Sequence, residues 1–247
     1  MLCDYREYRL SLLEWGRYLL EGAAACGLAA YVFYRSAIAF FLMLPAGFLW
    51  PFLQRKRLAG QRRERLRGQF REAVLILSSA LAAGYSVENA FAASVPDLEQ
   101  QYGRDGMITR EFSYIAAQLR MNRTAEELLL SFAARSGIEE IESFAVIFSV
   151  SKRSRGELAS VVNHVARVIS DRVQVRGEIQ MLTAEKQFEQ KIMNLMPFGI
   201  VLYLDISSPG YFDPMYETAA GRIVMSVCLA LYLGSCALAS RILQIEV

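Results

Sequence analysis

Histidine is nearly absent from this chain, and paired cysteines and phosphate-binding glycine patterns are absent altogether. His164 is the single histidine. A multi-histidine metal site is thereby excluded, and a histidine-based triad would depend on one residue. His164 sits between Val162 and Val165 near the packed side of a helical pattern, where a structural or interfacial role is expected over a general base. The four cysteines, Cys3, Cys26, Cys228 and Cys236, include no Cys-x-x-Cys pair and fall in no expected external loop. Neither disulfides nor a thiolate metal site follows from them. The glycines match neither G-x-G-x-x-G nor G-x-x-x-x-G-K-[ST], so no nucleotide cradle is expected. No cofactor or metal is implied, and any energy from ATP would come from another protein.

Charge of one sign is scarce overall but not locally. The net charge is only +2, which by itself implies no nucleic-acid partner. Yet Arg55, Lys56, Arg57, Arg62, Arg63, Arg65, Arg67 and Arg71 crowd one stretch in which Glu64 is the only acid. No aromatic stacking platform accompanies them, which argues further against nucleic acid. Two uses remain open for this run: binding anionic lipid and fixing topology beside a membrane, or accepting the acidic face of a protein partner.

What the sequence has in plenty is apolar length. The 247 residues are 54% hydrophobic and 21% charged, with a mean hydropathy of +0.24. The apolar residues gather near the two ends. One block runs from Trp15 to Leu53, broken by Arg17, Glu21 and Arg35; the other comprises Ile192–Ile206 and Ile223–Leu243 around a loop at Ser207–Gly221. About 20 residues of helix cross the roughly 30 Å of a bilayer core. The blocks therefore predict an all-α polytopic protein with four transmembrane helices and a cytoplasmic helical bundle. A buried core hairpin is the competing reading of a stretch as modest as Ile192–Ile206, which holds Asn194 and Pro197 and ends beside Asp205. Four apolar stretches with matching flanks weigh against it.

Those flanks predict the sidedness. Arg6, Arg9 and Arg17, the Arg55–Arg71 run, Lys186, Lys191 and Arg241 all mark one side, while Asp213 and Glu217 occupy a loop without Lys or Arg. The expected organisation is a cytoplasmic N-terminal segment at 1–16, a transmembrane hairpin at 17–53, and a helical domain with a basic juxtamembrane linker at 54–190. Two further spans at 191–243 enclose an external loop at 207–221, and a tail follows at 244–247. Both termini are then cytoplasmic in a multi-pass protein of the cell inner membrane. No signal peptide is expected, because a second apolar stretch follows the first almost at once.

The middle domain reads as helix throughout. Val74, Leu75, Leu77 and Leu81 form one apolar stripe, and Leu128, Leu129 and Phe132 begin another. Ile141, Phe144, Ile147 and Phe148 form a third, and Leu158, Val161, Val162, Val165, Val168 and Ile169 a fourth. Such faces demand a bundle. Breaks fall at Gly84, at Pro96 with Gly103 and Gly106, at Gly137 and at Gly156. Thr124–Glu127, Ser136–Glu139 and Ser154–Glu157 each present a capping box. The last helix, from Glu157 to about Gln190, would extend about 50 Å. It reads equally as two helices broken at Gly177.

Chemistry has few candidates. Asp205 lies near the expected outer end of the third span, and an ionisable group at such depth is frequently functional. The fourth span offers no second carboxylate, so contact with interfacial water is the expected role. A membrane hydrolase using Asp205 or His164, or a small transporter, is the alternative class. Pro197 would kink the third span. Small residues in the first and fourth spans permit close helix contact, within the chain or between copies.

The order of these pieces resembles the type II secretion system F-domain family, specifically the Tad-type platform proteins of type IV pilus and secretion systems. The residues that carry the likeness are Gln69-Phe70-Arg71-Glu72-Ala73, then Leu75–Leu81 and the turn Ala83–Phe91. They continue in Leu119–Leu130, Phe144–Phe148, Gly156-Glu157-Leu158 and Pro197-Phe198. The likeness spans roughly 55–216. It departs from the family at Met121-Asn122-Arg123, where a glycine is usual and Asn122 would make the turn. Longer members also carry the domain twice, whereas this chain has it once and would need a sibling platform protein or self-association.

The resemblance implies a non-enzymatic platform that couples a cytoplasmic secretion ATPase to the assembly or export of pilin-like subunits. It implies structural turns at Gly84 and Gly156 and makes the exposed charges Glu88, Glu126, Glu127, Arg153 and Arg155 candidates for the ATPase-facing surface.

Overall fold

The computed structural model describes residues 4–6, 12–48, 50–151 and 158–243. Every regular element among them is a helix: α1 (Leu12–Tyr34), α2 (Ala37–Phe48), α3 (Trp50–Ala82), α4 (Val87–Tyr102), α5 (Met107–Leu119), α6 (Ala125–Ser136), α7 (Glu139–Ser151), α8 (Leu158–Ser207), α9 (Asp213–Glu217) and α10 (Ala219–Leu243). They divide into two compact units. Met1–Arg9 with Arg55–Val175 make the first, and Leu10–Gln54 with Arg176–Val247 the second.

The first unit is a bundle built on the expected stripes. Val74, Leu77, Leu129, Phe132, Ile141, Phe144, Phe148 and Val162 are buried in one core. Val168 and Ile147, assigned to the same stripes, stay exposed. Phe70 anchors the centre, 5.6 Å from Phe144 and 6.1 Å from Phe132 by ring centroids. Phe91 and Phe112, 5.2 Å apart, join α4 to α5. Burying one such ring is worth about 1.5–3 kcal/mol.

Local chemistry sets the boundaries. Ser86 caps α4, its hydroxyl accepting from Asn89 N at 3.3 Å, and Gly84 makes the preceding turn at φ +89°. Thr124 caps α6 by accepting from Glu127 N at 3.4 Å. Asn122 takes φ +61°, a left-handed turn that asparagine tolerates better than most residues. Gly137 ends α6 in the left-handed conformation at φ +62°. The Ser136–Glu139 box is not formed. Ser136 is the last residue of α6, and its hydroxyl donates to Ala133 O at 3.0 Å and accepts from Ile138 N at 3.4 Å. The Ser154–Glu157 box lies outside the described residues, as do Arg153, Arg155 and Gly156.

Four membrane-spanning helices do not emerge, and with them goes the multi-pass inner-membrane topology with its cytoplasmic ends and external loop. Among the described residues only Ala219–Ile242, 24 residues of mean hydropathy 2.0, is long and apolar enough to cross a membrane. The others fail for separate reasons. Helix α2 is described over 12 residues, about 18 Å of rise, up to Leu49, which lies outside the described residues. In α1, Arg17 and Glu21 interrupt the apolar run and pair with each other at 3.2 Å. Helix α3, described from Trp50, continues directly into the basic run. Ile192–Ile206 is the end of α8, a single 50-residue helix unbroken at Gly177 or Pro197, and Asn194, Pro197 and Asp205 dilute its apolar character. The region expected as a loop holds α9.

The second unit has a small core: Val32, Phe33, Met225 and Leu229, with Tyr34, Phe198, Val201 and Tyr216 against it. Many large apolar side chains there remain exposed, among them Leu20, Ile38, Phe41, Leu42, Leu231 and Ile242.

Candidate functional site

The bundle unit places the acidic candidates at helix starts. Glu88 lies in the first turn of α4, and Glu126 and Glu127 in the first turn of α6. Carboxylates are favoured there by the helix dipole, so local stability alone accounts for part of their placement. Glu88 and Glu127 are exposed and Glu126 half-buried. Glu127 pairs with Arg123 at 3.1 Å. Between α4 and α5 the same unit carries an open groove of about 280 Å³, floored by Ala92, Val95, Pro96, Ala116 and Ala117 and edged by Glu99 and Arg120.

The basic run does not form one surface. Arg55, Arg57 and Arg65 are exposed. Arg67 is turned inward, its Nε donating to Glu140 Oε2 at 3.0 Å and its Nη1 to Glu64. Glu140 is buried. Arg62 lies 5.0 Å from the centroid of the Tyr5 ring, and Arg63 is half-buried. Part of the charge that reads as a lipid-facing cluster is thus committed to holding the fold together.

Among the described residues, the most deeply buried charged group in the bundle was not singled out by sequence. Glu111 is 1% exposed and receives Arg135 on both oxygens, Nη1 to Oε1 at 2.9 Å and Nη2 to Oε2 at 2.7 Å. Burial works to lower the Arg135 pKa, but the hydrogen bonds and charge of Glu111 outweigh it and hold the guanidinium above its ordinary value. Tyr5, itself buried, completes the cluster: its hydroxyl donates to Glu111 Oε1 at 3.1 Å and its N–H to Arg135 O at 3.1 Å. Nothing in the local sequence around Tyr5 announces such a role.

In the second unit Arg35 collects the carboxylates. It sits between α1 and α2 at φ +44° and donates to Asp205 through Nη2 at 2.6 Å and to Asp213 through Nη1 at 3.3 Å. The Tyr31 hydroxyl also donates to Asp205, at 3.1 Å. Tyr216 adds its ring 5.6 Å from the Arg35 guanidinium, while its hydroxyl donates to Val32 O at 2.7 Å. Asp205 is therefore an ion-pair partner, not a carboxylate left to interfacial water. His164 is exposed on α8, not on its packed side. Pro197 is carried inside α8.

No cluster of three or more His, Cys, Asp or Glu suited to a metal occurs among the described residues. Cys26, Cys228 and Cys236 are free thiols. No family model, no curated protein and no solved structure matches this chain.

Proposed function

We propose that the chain is a platform protein without chemistry of its own, whose helical bundle docks a cytoplasmic secretion ATPase and transmits its movement to pilin-like subunits. The observation that supports this reading is where the family-like segments fall. Gln69–Ala73, Leu75–Leu81, Ala83–Phe91, Leu119–Leu130 and Phe144–Phe148 all belong to one compact unit. Within it Phe70, Ala73, Val74, Leu77, Phe91, Leu128, Leu129, Phe144 and Phe148 share one core. The segments thus read as the parts of one folding module, held rigid by aromatic packing, with Glu88, Glu126 and Glu127 at its surface. A rigid helical body transmits a partner's displacement with little loss, because close-packed interiors deform little.

The test is binding of the full-length chain to the secretion ATPase of the same cell. Wild-type chain should bind saturably. Glu126→Lys with Glu127→Lys should weaken binding about tenfold or more while leaving the helical circular dichroism intact. Unchanged affinity would remove the α6 start from the contact, and no binding by the wild-type chain would end the platform reading. The hydrolase alternative gains nothing from Asp205, which two donors already engage.

A further inference from the structure

Asp4–Arg6 fills a pocket of the bundle unit, with the Tyr5 ring set into its core. A buried carboxylate held by a tyrosine alone would be stranded when the tyrosine left. Glu111 instead has Arg135 on both oxygens, at 2.9 and 2.7 Å, beside the Tyr5 hydroxyl at 3.1 Å, so its charge is met by a group of the bundle itself. The remaining contacts have the same character. The Tyr5 N–H reaches Arg135 O at 3.1 Å, a carbonyl in the last turn of α6 that no N–H of that helix serves. The Arg62 guanidinium covers the ring, a cation–π contact. Arg6 packs against Gly137, just past the C-terminus of α6, where the helix dipole favours a cation. Asp4 Oδ1 accepts from Arg6 N at 2.9 Å and sets the bend that brings these groups together.

The pocket thus reads a hydroxyl, a ring, a backbone N–H and a following cation, all supplied by three consecutive residues. We propose that it is a binding site for an acidic-Tyr-Arg peptide segment, filled in cis by the chain's own Asp4-Tyr5-Arg6 and in trans by the same segment of a second copy. The occupant seen in the pocket defines the ligand chemistry. The contacts that Asp4–Arg6 makes are the same in cis and in trans, so exchange between copies loses none of them and is opposed by the entropy of association.

The probe is a fluorescent peptide of residues 1–9, titrated into full-length chain and followed by anisotropy. The triplet recurs in the sequence as Glu7-Tyr8-Arg9, so the control peptide carries phenylalanine at both tyrosines. Chain with Tyr5→Ala should bind the native peptide saturably, and the control about tenfold more weakly, as loss of a hydrogen bond to a charged acceptor requires. Wild-type chain, its pocket already filled, should also bind about tenfold more weakly. Tyr5→Phe, which keeps the ring in the core, gives the same ordering should Tyr5→Ala fail to fold. Excess peptide should reduce energy transfer between differently labelled wild-type copies. Equal affinity for the two peptides, equal affinity of wild-type and Tyr5 variants, or energy transfer that the peptide leaves unchanged would each overturn the proposal.

Discussion

The Tyr5 hydroxyl and the Glu111 carboxylate, 106 residues apart in sequence, meet at 3.1 Å in the interior of the bundle unit. Arg135 closes the same cluster, and the three groups should not contribute equally. Tyr5→Phe should cost about 1.5–3 kcal/mol, the range for a hydrogen bond to a charged group. Arg135→Leu should cost about 3–5 kcal/mol, because Glu111 would remain buried without the guanidinium that neutralises it. Urea unfolding of the full chain, followed by far-ultraviolet circular dichroism, measures both. A reversed order would place the weight of the cluster on the tyrosine.

Gly137 should resist substitution. It combines a left-handed φ of +62° with Arg6 Nε only 3.0 Å from where a Cβ would lie. Gly137→Ala is expected to destabilise the chain by roughly 1–2 kcal/mol, and Gly137→Asn by less, since asparagine accepts this backbone region. Comparing urea midpoints of the two variants checks the ranking.

The basic run should split under alanine substitution. Arg67, whose side chain is 15% exposed and bonded to buried Glu140 at 3.0 Å, should cost about 2 kcal/mol or more when truncated. Exposed Arg65 should cost no more than about 0.5 kcal/mol. Equal effects would mean that Arg67 acts as one more surface charge.

Tyr102 provides a pH signature. Burial raises its phenol pKa, the charge of Glu72 adds to this, and Arg71 opposes it. The folded chain then holds this proton more tightly than the unfolded chain. Stability from this group is fully present below the ordinary tyrosine value of about 10 and is lost as pH rises above it. Ultraviolet titration of wild type against Tyr102→Phe should show one late-ionising tyrosine missing in the variant. Identical curves would contradict the assignment.

What sequence made legible follows from how far apart the partners are. The Thr124 cap needs only Glu127, three residues on, and forms as the pattern requires. The apolar stripes are legible because helical period alone places Phe144 and Phe148 on one face. Ser136 shows the limit of local pattern: the same spacing occurs, but α6 runs through the serine and turns at Gly137. The Arg67–Glu140 bond joins residues 73 apart, and the Arg35–Asp205 pair residues 170 apart. No period or motif foreshadows such contacts. The apolar blocks misled for a different reason. The first block runs across the turn at Arg35 between α1 and α2, and among the described residues only Ala219–Ile242 holds its apolar character along one helix.

Hydrogen–deuterium exchange of the full-length chain with and without the secretion ATPase tests the platform reading most directly. Slowed exchange should appear at the α4 start near Glu88 and at the α6 start near Glu126 and Glu127, both surfaces of the bundle unit. Protection confined to Leu10–Gln54 and Arg176–Val247, or no protection at saturating ATPase, would contradict it.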